Sequence, residues 1–310
     1  MPSGRRREPR LKDLFRTRNA ALRNVLETAE KVLDRDVSIL LLGESGVGKD
    51  YLAESIHACS TRRDEPFVHI DCASIPSDLF ESELFGHERG TFTDAHARKL
   101  GKLEMARRGT VYFDEIAALT PPLQAKLLRA IQDRRFTRLG GHQSIAFEAR
   151  LVSSSNSDLA ERIAGGAFRQ DLFYRINVVT LTIPPLRERR ADIASLAKSF
   201  LDRRRRGFDE NAARLLESYA WPGNVRELRN AVERASMLED GDRITAASLP
   251  IGDGDLVATA TRGEWTLDQL ESHYIAEVLR KTRANYSRAA AILGINRKTL
   301  LEKRRKYGLE

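Results

Sequence analysis

An apolar run, Val37-Ser38-Ile39-Leu40-Leu41-Leu42, leads straight into Gly43-Glu44-Ser45-Gly46-Val47-Gly48-Lys49-Asp50, and no other stretch of the chain restricts its fold so strongly. Glycines allow the tight turn that brings several amide N–H groups onto one phosphate, and a helix opening behind them adds its positive pole. Leu52, Ile56 and Ala58 continue at helical spacing. The order is therefore buried strand, phosphate loop and helix, with Lys49 set to reach the β/γ oxygens. Such loops usually continue with Ser or Thr for Mg2+, whereas this one continues with Asp50. Taken alone, the run also matches a chance glycine-rich turn.

Further runs of buried-strand character follow at Phe67–Ile70, Thr110–Phe113, Arg150–Ser153 and Val178–Leu181, with helical patterns between them. Strands apolar on both faces and separated by helices predict a parallel sheet in an α/β layer. Over 191–239 the pattern turns helical, with Leu215, Leu216, Tyr219, Leu228, Val232 and Ala235 at helical spacing. The stretch Leu249–Gly263, rich in Gly, Asp, Ala and Thr, reads as a linker. The expected organisation is a basic arm over 1–14, an α/β core over 15–188, a helical lid over 189–249, a linker over 250–264 and a final helical unit over 265–310.

A second motif weighs sharply against the chance reading of the loop. Val111-Tyr112-Phe113-Asp114-Glu115 ends a strand 65 residues beyond Lys49, and the carboxyl end of a parallel strand faces a bound nucleotide. Asp114 is expected to hold Mg2+ through water, and Glu115 to polarise the attacking water. ATP hydrolysis is the chemistry this pair implies. Composition bounds the setting: 41% hydrophobic residues suffice for a packed core, and two cysteines, Cys59 and Cys72, are too few for a disulfide framework. Both read as packing residues. The longest apolar run is too short to span a bilayer, so a cytoplasmic chain without a membrane partner is predicted. A net charge of +8 suits nucleic acid, an acidic partner or merely a basic enzyme, until the charges are located.

These motifs resemble the NtrC-type AAA+ ATPases, bacterial enhancer-binding proteins that activate sigma-54 RNA polymerase, over roughly Ile39–Leu249 and again over 267–309. The resemblance implies an AAA+ P-loop NTPase with a parallel sheet and helical lid, followed by an all-α helix-turn-helix domain. ATP and Mg2+ are the implied cofactors, with Asp50 standing for the family's usual Glu near the metal. Gly90-Thr91-Phe92-Thr93-Asp94-Ala95 resembles the family's Gly-Ala-Phe-Thr-Gly-Ala loop, so Thr91, Phe92 and Thr93 are the implied sigma-54 contacts. Thr91 and Asp94 depart from that pattern. A phenylalanine tucked back to pin its own loop is the competing reading of Phe92.

Asn156 falls at the family's sensor I position, Arg169 and Arg175 in its arginine-finger segment, and Arg226 at its sensor II helix. Ordinary ion pairing competes for Arg169 and Arg175, and a helix-surface arginine for Arg226. Asp71 stands where the family has the Asn that restrains the catalytic Glu, so a second carboxylate is expected to repel Glu115 or share its proton.

Leu267, Leu270, Tyr274, Ile275, Val278 and Leu279 predict an amphipathic helix. Asn285 to Leu300 then has the alanines, the turn glycine Gly294 and the anchors Ile295 and Leu300 of a helix-turn-helix, and resembles a Fis-type DNA-binding domain. Between Arg280 and Leu309 ten Lys and Arg face one acid, Glu302, which locates the charge excess. Asn296, Arg297 and Lys298 are the expected base-edge contacts and later cations such as Lys303 the phosphate contacts. Arg304 departs from the family's aliphatic choice, so looser packing is expected there.

The expected function is an ATP-hydrolysing activator that binds an upstream double-stranded DNA site and remodels sigma-54 holoenzyme. The resemblance implies a homo-oligomer, a hexameric ring assembled from dimers through the first C-terminal helix. Only about 35 residues precede the ATPase, so control is expected to come from a regulator acting in trans or through expression, or to be absent. A DNA-binding regulator of ordinary polymerase on the same scaffold is the alternative.

Overall fold

The apolar runs pair side by side in a computed structural model, which describes residues 10–91, 97–202, 207–249, 251, 265–282 and 285–308. They form β1 (Ile39–Leu42), β2 (Phe67–Asp71), β3 (Thr110–Asp114), β4 (Arg150–Ser155) and β5 (Val179–Thr182). All pairings in this sheet are parallel, in the order β2-β3-β4-β1-β5. The carboxyl ends of β3, β4 and β1 are consequently neighbours, and the phosphate loop, Asp114, Glu115 and Asn156 are carried on or just beyond them.

Side-chain alternation divides the core between the two faces. Leu40, Val111, Phe113 and Leu151 pack on one face with α3 (Ser77–Phe85), α4 (Pro121–Asp133) and α5 (Gln170–Ile176). Ile39, Leu41, Tyr112, Val152 and Leu181 pack on the other with α1 (Ala20–Lys31) and α2 (Lys49–Ala58). Each aliphatic side chain so buried contributes about 1.5–3 kcal/mol. Among the caps, the Asn19 side chain accepts from Leu22 N at 2.9 Å, and Pro121 begins α4 where its missing N–H has no helical partner to lose.

The lid comprises α6 (Arg190–Ser199), α7 (Glu210–Ser218) and α8 (Asn224–Leu238). Tyr219, expected within a helix, falls one residue beyond α7, with its ring 5.1 Å from Trp221. The segment before α1 ties this lid to the core: Thr17 Oγ1 and Arg18 N donate to buried Asp192 at 2.6 and 2.7 Å.

The chain divides into two compact units, Met1–Ala246 and Ala247–Glu310. In the second, α9 (Leu267–Lys281), α10 (Tyr286–Leu293) and α11 (Arg297–Tyr307) close over Ile275, Val278, Ala289 and Leu300. Gly294 makes the turn between α10 and α11 at φ +67°. Of the predicted apolar stripe on α9, Leu267 and Tyr274 remain exposed, because three short helices enclose only its carboxyl half. Arg304 replaces aliphatic packing with a guanidinium set 5.4 Å over the Tyr286 ring. Among the described residues no helix is long and apolar enough to cross a membrane.

Candidate functional site

β1 delivers Gly43 to the sheet's carboxyl edge, and Gly48 opens α2 in a left-handed conformation. Lys49 is 7% exposed, with Nζ donating to the Gly43 and Glu44 carbonyls at 2.9 and 3.1 Å. Burial lowers its pKa, against the opposing pull of Asp114, Glu115 and Asp50. Gly46 has φ +76°, and a Cβ there would meet Gly223 O at 2.4 Å, so any side chain would push the lid away. Val47 lies buried below the loop.

The carboxylates gather opposite the lysine. Period-2 alternation sets Tyr112 and Asp114 on one face of β3, and the Tyr112 hydroxyl reaches Asp50 Oδ1 at 2.8 Å and Asp114 Oδ1 at 3.1 Å. Ser154 Oγ donates to the same Asp114 oxygen at 2.5 Å and accepts from Glu115 N at 3.1 Å. Burial pushes the Tyr112 phenol up, which keeps it a neutral donor. Asp50 Oδ2 and Asp114 Oδ2 have no hydrogen-bond partner among the described residues, an oxygen set that suits a hard divalent cation such as Mg2+.

Glu115 sits at φ +52°, a left-handed conformation rare outside glycine, and its carboxylate accepts from Asn156 N at 3.0 Å. The Ser155 and Ser157 hydroxyls approach it at 3.3 and 3.4 Å. Asn156 therefore supports Glu115 through its backbone, while its side-chain Oδ1 accepts from Ser157 Oγ. Asp71 is in register with Asp114, but its Oδ1 accepts from Ala73 N and Ser74 N at 3.0 and 3.1 Å. Among the described residues no hydrogen bond joins Asp71 to Glu115, and the two carboxylates take separate partners. Burial raises the pKa of Cys72 and of Cys59, so both thiols stay protonated.

The lid grips the outer side of the phosphate loop. Arg226 Nη1 donates to Ser45 Oγ at 3.0 Å, and the Val225 and Arg226 amides donate to Gly46 O at 2.9 and 3.3 Å. Arg187 forks onto Glu44 at 2.6 and 2.8 Å, and this hydrogen bond holds the Glu44 carboxyl below the usual range. Fully buried Asn224, at φ +55°, donates to Glu44 Oε2 and Ser45 O and accepts from Leu186 N. Arg189 donates to Val47 O at 2.7 Å. Tyr112, Ser154, Arg187, Arg189 and Asn224 were not singled out from the sequence; only Tyr112 carried a local signal, two residues before Asp114 on the same strand.

Arg169 caps α5 and pairs with Asp171 at 2.6 Å, whereas exposed Arg175 makes one long bond, 3.3 Å, to Ile131 O. Phe92 and Thr93, with Asp94, lie outside the described residues. Thr91 is described, and its hydroxyl turns into the loop base, 2.6 Å from Glu88 O and 3.0 Å from Leu139 O. Arg138, nearly fully buried, braces that base by bonding Glu88 at 2.7 Å and Glu104 at 2.6 and 2.9 Å.

In the C-terminal unit Asn296 is the cap of α11, its Oδ1 accepting from Thr299 N at 2.8 Å. Arg297 and Lys298 follow, exposed and without a partner among the described residues. Lys303, expected as a phosphate contact, has Nζ 2.7 Å from Glu271 on α9. Lys306 and Tyr307 bind Asp268, and Tyr307 also binds Glu271, so this edge of α11 is braced against α9. The acids that neutralise it lie more than thirty residues upstream, beyond the reach of a local charge tally.

Comparison with known proteins accords with this geometry. Residues 15–182 match the Sigma-54 interaction domain, 187–253 the AAA+ ATPase lid domain, and 266–307 the Bacterial regulatory protein, Fis family. Transcriptional regulatory protein ZraR of Klebsiella oxytoca is 46% identical over 294 residues, covering 91% of this chain and 66% of that protein. Regulatory protein AtoC of Escherichia coli K12 is 41% identical over 311 residues, covering 95% and 68%. A crystal structure of NtrX from Brucella abortus in complex with ATP superposes with a TM-score of 0.69 at 34% identity, covering 94% of this chain and 69% of that one. The chain spans about two thirds of the length of these relatives. With a phosphate loop clasped by its lid and a three-helix unit beyond, the chain belongs to the sigma-54 interaction domain family of AAA+ P-loop NTPases.

Proposed function

We propose that this chain is an ATP-hydrolysing transcription activator that binds upstream DNA and remodels sigma-54 RNA polymerase holoenzyme in the cytoplasm. The observation that carries this reading is the convergence of Lys49, Asp114 and Glu115 at one edge of the sheet, within residues that match the Sigma-54 interaction domain. Lys49 turns from the loop carbonyls to the phosphates as a point charge. Asp50 and Asp114 hold Mg2+, which neutralises charge on the phosphate oxygens when bound. Glu115, fixed by Asn156 N, orients water and accepts its proton. Arg226 approaches the phosphates from the lid, while Arg169 or Arg175 reaches the nucleotide of a neighbouring copy in a hexameric ring. Arg175 has more free donors for that role.

In vitro transcription tests the whole reading. Open complexes on a sigma-54 promoter should form with hydrolysable ATP and not with a non-hydrolysable analogue. Phe92→Ala should keep DNA affinity and lose sigma-54 binding. Equal sigma-54 binding by both proteins, or activation of an ordinary holoenzyme, overturns the reading.

For the DNA side, Arg305→Ala should lower the salt slope of binding by about one, as loss of one phosphate contact does. Arg305 is exposed and has no partner among the described residues. Lys303→Ala should leave that slope unchanged and remove only about 0–1 kcal/mol of stability, as is typical of exposed pairs. Titrations of labelled DNA at several salt concentrations, with melting curves, separate the two effects.

A further inference from the structure

One tyrosine hydroxyl stands between two carboxylates carried by different elements. Asp50 lies in the first turn of α2 and Asp114 at the end of β3, 64 residues apart in sequence. Two neighbouring carboxylates repel, and burial in protein strengthens the repulsion by removing water. A shared donor or a shared cation relieves it. Tyr112 supplies the donor, at 2.8 Å from Asp50 Oδ1 and 3.1 Å from Asp114 Oδ1.

The phenol cannot swing aside. Tyr112 is 0% exposed, its ring lies 6.1 Å from Phe67 in a stacked arrangement, and it is 5.1 Å from His69. Ser154 Oγ accepts from Glu115 N, donates to Asp114 Oδ1 and also lies within hydrogen-bonding reach of the Tyr112 phenol. Asp114 Oδ1 is thus held by two hydroxyls, and Asp50 Oδ1 by one of them. Their other oxygens are left without protein partners among the described residues. Metal sites are sensitive to such orienting groups behind the ligands.

We propose that Tyr112 is a positioning residue for the divalent metal: its hydroxyl ties Asp50 to Asp114 and turns the free oxygen of each toward one shared metal site. The inference rests on the nucleotide-hydrolysing function proposed above. It assigns a task to a fully buried side chain whose hydroxyl reaches both carboxylates. The phenol extends the reach of β3 by a side chain's length, and so lets a short carboxylate on α2 share in holding the metal.

Tyr112→Phe removes one oxygen and keeps the ring. In the full-length protein, binding of a fluorescent ADP analogue would be followed against Mg2+ concentration and again in EDTA. The Mg2+ midpoint should rise about tenfold in the variant, while affinity in EDTA stays at the wild-type value. Ser154→Ala, which removes the second hydroxyl from Asp114, should shift the midpoint in the same direction and serves if Tyr112→Phe does not fold. Unshifted midpoints in folded variants, or an equal loss of affinity in EDTA, overturn the proposal. Nucleotide binding by wild type that ignores Mg2+ overturns the metal-dependent function itself, and the assignment with it.

Discussion

ATP turnover by a Lys49→Ala variant should fall by about 10²–10³-fold or more, the loss expected when a preorganised charge is taken from a phosphoryl-transfer site. Lys49 is the cation enclosed by the loop, and its two hydrogen bonds go to loop carbonyls that yield it to phosphate. Its replacement leaves Asp50, Asp114 and Glu115 facing the phosphates without that lysine. Phosphate-release assays measure the effect, and a cooperative melting curve confirms that the variant folds. Turnover near wild type would dismiss the site. A pH dependence follows from the lowered pKa of Lys49, which burial imposes. The folded state binds this proton less tightly than the unfolded chain does. Wild type should therefore gain stability relative to the variant as pH rises through the interval between the two pKa values, and lose it below.

The second large effect appears in mixtures. Glu115→Gln and Arg175→Ala should each be nearly inactive alone, the first lacking the water-activating carboxylate and the second the arginine offered to a neighbour. An interface formed by the pocket of the arginine variant and the arginine of the Glu115→Gln subunit contains every required group. Random equal mixing makes such interfaces about a quarter of the total, so turnover should return to at most about that fraction of wild type. Arg169→Ala provides the comparison, because Arg169 must first leave Asp171 at 2.6 Å, whereas Arg175 gives up one long bond. Native mass spectrometry would verify mixed rings. Cooperative coupling around the ring lowers the ceiling, and titration of the mixing ratio separates that effect from failure. Mixed rings with no recovery for either arginine, once such coupling is excluded, would remove the assignment in trans.

Local patterns made much of this legible. The sheet followed from Leu40, Val111, Phe113 and Leu151, which are apolar and belong to runs of strand length, and the phosphate loop from glycines at fixed spacing. Strand ends were less visible: β4 runs on to Ser155 because three consecutive serines are buried and the last two hold carboxylates. Contacts between distant segments had no local signature. Arg187 and Asn224 look like ordinary surface residues until the lid folds back on Glu44. Nothing local to Lys303 reveals its partner Glu271, 32 residues away on another helix. Asp71 pointed to a second carboxylate beside Glu115, and spacing alone does not reveal the two amides that donate to its Oδ1.

The lid's hold on Glu44, Ser45, Gly46 and Val47 has a thermodynamic consequence. The loop's inner side meets the nucleotide and its outer side is fastened to another body, so neither can be reshaped alone. Two binding equilibria that share one such element are linked, and the linkage is reciprocal. If nucleotide changes the lid's preferred orientation by some factor, anything that fixes that orientation changes nucleotide affinity by the same factor. Any contact that fixed α8 would thereby act as an effector of the ATP site without touching ATP.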